Sequence, residues 1–395
     1  SMTANLGDTV NIQKPFRMNT YDTFGANFSD SSIRVRYAPL TVDTPYNTAW
    51  IVDSAQFVQY PIDEYRTMIG KSNMASMATK VETKLLSNFI NNTYRWWGHV
   101  TRGTGSAVMG APMSYQDLAG VYQRMVSYGI PEMGNARVFI ANDSQPQVVG
   151  SGLTQFVPRR NDSIAMSFDI GSFSNMDFHI SNLLPIQSAG TIGNGNIPTT
   201  VTSIDTTGTL LTLATGNAAT LNAGDVLTLY GAGLNYLHYT GYTPSQELVQ
   251  VRVVVGGTAT SGGALTVTVD PPLIYDATGL NTERNINLNI NTTISGGGTI
   301  NVAAAPDHRA GCLMVGNPLY FASPRLADLD PFKTSIITDS VSGLSVRSTY
   351  GCTSLAGPNG KQTGFTTDIY MGTTMIPEYT IRLCYPVTSM NSGFY

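Results

Sequence analysis

Gly70-Lys71-Ser72 is the segment of the chain nearest to a nucleotide-binding motif, because it leads directly into a predicted helix. A phosphate-binding loop needs another glycine five residues before Gly70, so that free backbone amides can contact phosphate. Tyr65 occupies that position. We therefore interpret the segment as a glycine kink followed by a Lys and a Ser that start the helix. The sequence predicts no cofactor.

His308 and Cys312 are four residues apart, a spacing that suits a metal site or a Cys-His pair if both lie on one helical face. A complete site needs further ligands at a second suitable spacing, and none of the four histidines has such a neighbour. The histidines are His99, His179, His238 and His308. We therefore expect no metal, and interpret Cys312 as a buried thiol beside a surface histidine.

Carboxylate pairs are the remaining candidates for catalysis. Asp63-Glu64, and Asp328 with Asp330, have the residue types for acid-base hydrolysis. Exposed loop carboxylates explain the same pattern, and the chain has no Gly-x-Ser-x-Gly elbow for a nucleophilic serine. The sequence predicts no enzyme, and a hydrolase using these carboxylates stays as an alternative.

Two adjacent pairs could bind partners. Arg159-Arg160 could contact phosphate, but two charges fall far short of a nucleic-acid-binding patch, and a salt bridge between subunits explains them equally well. Trp96-Trp97 is predicted to close the core at the end of a helix, with one ring available for an interface.

The elements that position these residues are mostly short strands. The chain has 395 residues, of which 39 are Gly and 20 are Pro, a composition typical of many turns. One long helix is predicted from about Lys71 to Trp97, where Pro and Gly are absent and apolar residues recur at three- and four-residue steps. A second helix is predicted to start at Ser114 and to end at Gly129.

Charge is unevenly distributed. Only 12% of residues are charged and the net charge is −4. Between 186 and 305 there is no Lys, and two arginines stand against six acidic residues, which accounts for the whole imbalance. Short strands separated by Gly-rich turns in this stretch predict a small antiparallel barrel or sandwich. The return of mixed character after 305 is typical of a domain inserted into another.

Disulfides and membrane spans are not predicted. Cys312, Cys352 and Cys384 are odd in number and far apart, so we expect reduced, packed thiols. No window has the roughly 18 to 20 apolar residues of a membrane helix. The N-terminus lacks a basic-then-apolar signal peptide, and Ser1 before Met2 suggests a tag remnant or a processed end.

The order of elements resembles the major capsid proteins of tailed phages, specifically the Salmonella podophage coat-protein family, in which a domain is inserted into the Hong Kong-type capsid fold. The features that carry the resemblance span nearly the whole chain: an extended region Gly7 to Tyr65, the helix Lys71 to Trp97, the unit Ser114 to Gly150, Ile170-Gly171-Ser172-Phe173, Leu183-Leu184-Pro185, the strand entry Ala223-Gly224-Asp225-Val226, and the returns Asp307-His308-Arg309 and Asn317-Pro318-Leu319-Tyr320-Phe321.

The resemblance implies an α+β fold with a long spine helix, a peripheral extended loop and an inserted small antiparallel β-barrel domain. The implied domains are 1-65 (N-terminal strand and extended loop), 66-112 (spine helix and peripheral domain), 113-187 (first part of the axial α/β domain), 188-304 (inserted barrel) and 305-395 (return to the axial and peripheral domains). Deleting residues 190 to 302 is expected to leave the remainder folded.

The resemblance also implies a function. The chain would form hexamers and pentamers that close into an icosahedral head around double-stranded DNA, without sequence-specific binding. It would assemble in the host cytoplasm with scaffolding and portal proteins, become part of the virion and contact no membrane. The residues predicted to contact other subunits are Arg34, Arg36, Arg159, Arg160 and Asp205.

Two departures from the family affect this interpretation. The family's N-terminal arm precedes the segment matched by Gly7-Asp8-Thr9-Val10, and this chain begins almost at that segment. The family's charged loop that bridges capsomers corresponds to Thr199 to Leu213, where Asp205 is the only charge. An alternative from another class is a phage tail or surface-adhesion protein that binds a receptor or glycan through the β domain.

Overall fold

The computed structural model describes residues 7–15, 35–53, 62–98, 100–103, 106–109, 114–130, 135–142, 144–145, 148, 172–173, 176–239, 244–275, 289–292, 294, 299–328, 333–338, 343–354 and 362–387. The helices among them are α1 (Ile62–Asn92), α2 (Tyr115–Tyr128) and the single turn α3 (Thr191–Asn194), with a 3₁₀ turn at Pro377–Tyr379. Among the described helices, none is long and apolar enough to span a membrane.

Strands make up most of the described structure. In the first half of the chain they are β1 (Thr9–Gln13), β2 (Tyr37–Thr41), β3 (Thr44–Asp53), β4 (Trp96–Trp97), β5 (Val100–Gly103), β6 (Ser106–Met109), β7 (Ala136–Ala141), β8 (Ser172–Phe173), β9 (Met176–Ser181) and β10 (Ile186–Gln187). The next are β11 (Thr199–Ile204), β12 (Leu210–Thr215), β13 (Ala219–Leu221), β14 (Val226–Tyr230), β15 (Asn235–Leu237), β16 (Pro244–Val255), β17 (Gly257–Ala259), β18 (Ala264–Asp270) and β19 (Asn301–Ala304). The last are β20 (His308–Val315), β21 (Leu319–Ala322), β22 (Lys333–Thr338), β23 (Ser345–Ser354), β24 (Gln362–Met375) and β25 (Thr380–Tyr385).

The chain divides into two compact units. The first takes its described residues from Ser1–Lys14, Tyr37–Leu85 and Leu319–Met375. Its main sheet has the order β21-β24-β23-β22, with β3 also paired to β24. Stacking of Trp50 on Phe365, with ring centroids 4.0 Å apart, joins β3 to β24. Arg347 and Asp368 form an ion pair of 2.8 Å across β23 and β24.

The second unit contains a mixed seven-stranded sheet and a barrel. The sheet has the order β4-β25-β20-β7-β9-β8, and β10 pairs with the start of β20. Leu118, Val121 and Met125 of α2 are fully buried in the same core as Val138 and Ile140 of β7. The apolar face of α2 is thus buried in this core, as the apolar spacing of the helix requires.

The ends of α2 follow the sequence signals. Ser114 caps the first turn by accepting a hydrogen bond from the backbone N–H of Asp117, whose carboxylate accepts one from the N–H of Ser114. This reciprocal pair is a capping box. Gly129 ends the helix with φ +78°, the left-handed conformation that glycine adopts without strain. Both predicted boundaries of this helix are therefore confirmed.

The barrel is closed by six strands. Their order is β14-β19-β11-β12-β18-β16, and β16 pairs back with β14. Inward side chains such as Leu211, Leu229, Val251 and Val267 are at most 1% exposed, so the interior is packed with aliphatic side chains. The predicted strands at Val226 to Tyr230 and Leu265 to Val269 are confirmed.

The predicted long helix is present, but its bounds were wrong. It starts at Ile62 and ends at Asn92, whereas the prediction ran from Lys71 to Trp97. Gly70 therefore lies inside the helix. Trp96 and Trp97 form β4, which pairs in parallel with Arg382 and Leu383 of β25. The C-terminal carbonyls of the helix are bound by a side chain from that same strand, as described below.

Candidate functional site

A cluster of polar contacts in the second unit surrounds Arg382, which is fully buried on β25. We call this cluster the arginine junction, defined by Arg382, Asp225, Gln187, Gly224 and the backbone carbonyls at the end of α1. It connects three parts of the unit: the helix end, the mixed sheet and the barrel.

Arg382 binds the C-terminal end of α1. Its guanidinium donates hydrogen bonds to the carbonyl oxygens of Phe89 (3.2 Å), Ile90 (2.6 Å) and Thr93 (3.1 Å). The last carbonyls of a helix have no intrahelical partners and carry the negative end of its dipole. The last turn of α1 contains no basic residue of its own. Arg382 therefore supplies the missing cation from a strand nearly three hundred residues later.

Arg382 also binds the barrel. It donates to the carbonyl oxygen of Gly224, just before β14, at 2.8 Å. Gly224 has φ +91°, and a Cβ there would lie 2.5 Å from Oε1 of Gln187 and 2.9 Å from Cγ2 of Ile90. Glycine is therefore required at this position for both its conformation and the close approach.

Asp225 joins the barrel to the strand that leads into it. Its carboxylate accepts hydrogen bonds from Nε2 of Gln187 (2.8 Å) and from the backbone N–H groups of Gly190 (2.9 Å) and Asn222 (2.8 Å). Burial raises the pKa of this carboxyl, and the three hydrogen bonds and the charge of Arg382 oppose that rise. For Arg382, burial lowers the pKa to about 10, and the guanidinium remains charged at neutral pH.

His308 and Cys312 both lie on β20, which corrects the helical placement on which their pairing depended. His308 is fully buried, which corrects its expected surface position, and its Nδ1–H donates to the carbonyl oxygen of Pro306 at 2.7 Å. Burial, helped by Arg382, lowers the pKa of His308 to about 3. Burial raises the pKa values of the Cys312 and Cys384 thiols, which favours the protonated thiol over the nucleophilic thiolate.

The expectation of packed thiols is confirmed for Cys312 and Cys384, which are free and buried. Among the described residues, no group of three or more His, Cys, Asp or Glu is placed to hold a metal ion.

Gln250 forms the second connection between the barrel and the sheet. Its side-chain oxygen accepts from the backbone N–H of Trp96 at 3.1 Å, and its Nε2 donates to the Trp96 carbonyl at 3.0 Å and to Oγ1 of Thr228 at 3.1 Å. The side-chain amide of Gln250 thus pairs with the backbone N–H and C=O of Trp96 as a neighbouring strand would, and both backbone groups have a hydrogen-bond partner.

Replacing Gln250 with Leu is expected to lower the free energy of unfolding by about 2 to 3 kcal/mol, because both backbone groups of Trp96 lose their buried partner. Urea unfolding followed by fluorescence measures this. The control is Thr212, a half-buried threonine on β12 of the barrel, whose replacement with Val is expected to change the free energy of unfolding by less than about 0.5 kcal/mol. Equal effects of both substitutions would contradict the role of Gln250.

The structure places two of the five residues predicted to contact other subunits. Arg36 forms an ion pair of 3.7 Å with Glu378 within the same unit, and its guanidinium lies 6.0 Å from the ring centroid of Tyr239. Asp205 organises the turn between β11 and β12, where it accepts hydrogen bonds from the backbone N–H groups of Thr209 and Leu210 at 2.8 Å each. Slight burial acts to raise the pKa of Asp205, but these hydrogen bonds and those from Thr207 outweigh that effect and lower the pKa.

The other candidates give no contact to report. Arg34, Arg159 and Arg160 lie outside the described residues, as do His99 and Asp330. Trp96 is 7% exposed and packs with Val226, Ala305 and Cys384, so it belongs to the core as expected, although on a strand. Arg382 and Gln187 were missed, because nothing in the sequence around either residue distinguishes a buried polar side chain from an exposed one.

Comparisons with known proteins give structural likenesses alone. No family model matches the chain, and no curated protein matches it. The capsid of Ralstonia phage GP4 is similar with a TM-score of 0.48 and 8% identity, over 98% of this chain and 86% of that one. The capsid structure of Helicobacter pylori bacteriophage KHP30 is similar with a TM-score of 0.45 and 7% identity, over 97% and 85%. The capsid structure of Cyanophage P-SCSP1u is similar with a TM-score of 0.44 and 9% identity, over 97% and 84%.

Proposed function

We propose that this chain is a major capsid protein that self-assembles into the icosahedral head shell enclosing a phage double-stranded DNA genome. The observation that carries the proposal is the insertion of a closed barrel into a mixed sheet. The chain leaves the sheet at β10, forms the barrel between β11 and β19, and returns through β20, the partner of β10. This is the order of elements that the sequence resemblance to the Salmonella podophage coat proteins implies.

The surface of the first unit supports a shell-forming role. Its sheet exposes large apolar side chains, with Ile51 58% and Ile337 65% exposed. Ile337 lies on β22, which pairs with β23 alone among the described strands. Lateral contacts built from such side chains and few charges avoid the cost of desolvating ions. Many weak contacts of this kind suffice in a shell, because each subunit binds several neighbours at once.

The proposal includes the finer features that the resemblance implies. These are the Hong Kong-type fold with α1 as its spine, the five domain boundaries, hexamers and pentamers, and assembly in the host cytoplasm with scaffolding and portal proteins. The protein would act as a structural component and not as an enzyme. Its contacts to DNA would not depend on sequence, which agrees with its low content of basic residues.

Contacts between subunits are proposed for Arg34, Arg36, Arg159, Arg160 and Asp205. Arg36 already has Glu378 as an intramolecular partner, so a neighbour would add to that ion pair. Asp205 lies at a hairpin turn, where its carboxylate is partly occupied by backbone N–H groups.

Electron microscopy of the purified protein tests the proposal. We expect shells, or the hexamers and pentamers that form them, under assembly conditions. Ile337→Asp is expected to raise the protein concentration needed for assembly about tenfold or more, because it places a charge on an apolar contact surface. Its free energy of unfolding should stay within about 0.5 kcal/mol of that of the original protein.

Val255→Asp is the matched control. Val255 is also an exposed aliphatic side chain, at 59%, but it lies on β16 of the barrel and not on the sheet of the first unit, to which the proposal assigns the apolar lateral contacts. This variant should assemble at the original concentration. A protein that stays monomeric or trimeric under all conditions, and occurs in no head particle, would contradict the shell proposal and favour the tail or adhesion alternative.

A further inference from the structure

The main sheet of the first unit has two outer edges, formed by β3 and β22. Four of its strands lie side by side in the order β3-β24-β23-β22. Among the described strands, β3 pairs with β24 alone and β22 pairs with β23 alone. The outward backbone N–H and C=O groups of an edge strand are a template for another strand.

Most of each edge lacks the features that prevent strands from pairing between proteins. The registers of β3 with β24 and of β22 with β23 run without a shift, so no bulge turns either edge away. The protective residue types are confined to the ends, with Lys333 at the start of β22 and Pro45 near the start of β3. Residues 46–52 and 334–338 carry no charge.

The directions of the two edge strands suit a second copy of the same chain. All three strand pairs across the sheet are antiparallel, so β3 and β22 run in opposite directions. A second copy placed head to tail beside the first therefore brings its β3 antiparallel to β22. The sheet then continues in the same alternating pattern, and repetition of such a contact generates a ring or a filament.

The side chains on one face of the sheet lie in rows that cross the strands. One row is aromatic up to its last residue, the next carries hydroxyl groups, and the third is mostly apolar. The first two rows are Trp50-Phe365-Tyr350-Lys333 and Thr48-Thr367-Ser348-Ser335. In the same register, Tyr46 pairs with Ile369 and Val346 pairs with Ile337.

A second copy in unshifted register would extend each row with a residue of matching chemistry. Ile337, which is 65% exposed, would lie opposite Tyr46 of the second copy. An aliphatic side chain beside an aromatic one is a stabilising cross-strand pair. In the hydroxyl row, Ser335 would lie opposite Thr48. In the aromatic row, Lys333 would lie beside an indole ring, where cation–π attraction favours it.

Other registers match less well. A shift of two residues places Ile337 opposite a threonine, which is Thr48 in one direction and Thr44 in the other. A shift of one residue turns the side chains of the second copy to the opposite face of the sheet. The sequence of the two edges thus favours the unshifted register.

We propose that β22 of one copy pairs antiparallel with β3 of a second copy, with Ile337 opposite Tyr46, so that the sheet of the first unit continues from subunit to subunit. The inference rests on the proposed capsid function, because it assigns a strand pair and a register to the lateral contact of that shell. Pairing satisfies backbone groups on both edges and places a single charged side chain, Lys333, in the contact.

Disulfide trapping tests the strand pair and its register. Within one chain, Ser335 and Thr48 are separated by β23 and β24, so a bond between cysteines at these positions joins two chains. Opposite residues of paired strands fall within the Cα separation of about 4.4 to 6.8 Å that a disulfide spans. Under mild oxidation at the assembly concentration, at least about half of the Ser335→Cys/Thr48→Cys chains should join into reducible dimers and longer ladders.

The single variants and a shifted pair are the controls. Ser335→Cys and Thr48→Cys alone keep the native cysteines and should each cross-link less than about one-tenth of the chains. Ser335→Cys/Ala49→Cys moves one thiol to the other face of the sheet, and its yield should be lower by about fivefold or more. Equal yields from the two double variants would overturn the register. Extensive dimers from Ser335→Cys alone would mean that two β22 strands pair with each other, which would overturn the proposal.

Electron microscopy of the same samples separates this inference from the proposed function. Shells without cross-links above those of the single variants contradict the strand pair and leave the capsid proposal intact. Cross-linked ladders from a protein that never forms shells support the strand pair and contradict the capsid proposal. If Thr48→Cys does not fold, Ile337→Cys/Tyr46→Cys tests the same register, and a yield no higher than that of its single variants overturns it.

Discussion

Replacing Arg382 with Met is expected to lower the free energy of unfolding by about 4 kcal/mol or more, the largest effect of any single substitution considered. Four carbonyl oxygens, of Phe89, Ile90, Thr93 and Gly224, would lose a charged donor in a site that water does not reach. Each buried acceptor left without a partner costs about 1 to 3 kcal/mol. The end of α1 would also lose the only cation that faces its dipole in the described contacts.

Urea unfolding of the purified variants measures this effect. Arg382→Lys keeps the charge but not the planar fork, so it should recover part of the loss and remain clearly less stable than the original protein. Arg137→Met removes an arginine from the exposed side of the same sheet and should cost less than about 1 kcal/mol. A loss below 1 kcal/mol in Arg382→Met would mean that the junction does not hold the helix end to the barrel.

The arginine junction also changes an expectation about the barrel. From the sequence, deleting residues 190 to 302 was expected to leave the remainder folded. In the structure, Leu118 and Val138 belong to the same contiguous core as Leu227 and Val251 of the barrel. Deletion would expose that core and remove two partners of Arg382, namely Gly224 and the charge of Asp225. The barrel is thus an insertion in the sequence, but its hydrophobic core is continuous with the core of the rest of the second unit.

Local signals explain which elements were predictable. The helix from Ser114 to Gly129 has a capping box at one end and a left-handed glycine at the other, both of which depend on residues adjacent in sequence. In the barrel strands, apolar residues either alternate with polar ones or form short runs between glycine turns. The predicted bounds of β14 and β18 therefore lie within one residue of the observed ones. Such features need no knowledge of distant residues.

Long-range contacts explain the rest. Residues 93 to 97 continue the helical pattern of apolar residues, yet Arg382 binds the carbonyls of Phe89 and Ile90, and β25 pairs with Trp96. Nothing near residue 90 indicates those partners. His308 and Cys312 were considered as metal ligands because of their spacing. Their neighbours on β20 come from distant parts of the chain: His308 pairs with Gln187 of β10, and Cys312 lies between β7 and β25.

Acid is expected to weaken the original protein through His308. Its folded pKa is lowered to about 3 from an ordinary value of 6.5, because the neutral ring is fully buried beside Arg382. The neutral form therefore contributes stability that is complete above pH 6.5 and declines as the pH falls toward 3, since the unfolded chain gains the proton first. Between pH 7 and pH 5, this one group should lower the free energy of unfolding by about 2 kcal/mol.

The difference between the original protein and His308→Asn isolates that contribution, because Asp225 and the other carboxyls titrate in both. Asn can keep the hydrogen bond to the Pro306 carbonyl, since its Nδ2 takes the place of the ring Nδ1. Urea unfolding at pH 7 and pH 5 should show the variant losing about 2 kcal/mol less than the original. His179→Asn, at an exposed position on β9, should follow the original curve. Equal losses in the original protein and His308→Asn would mean that protonation of His308 does not lower the free energy of unfolding.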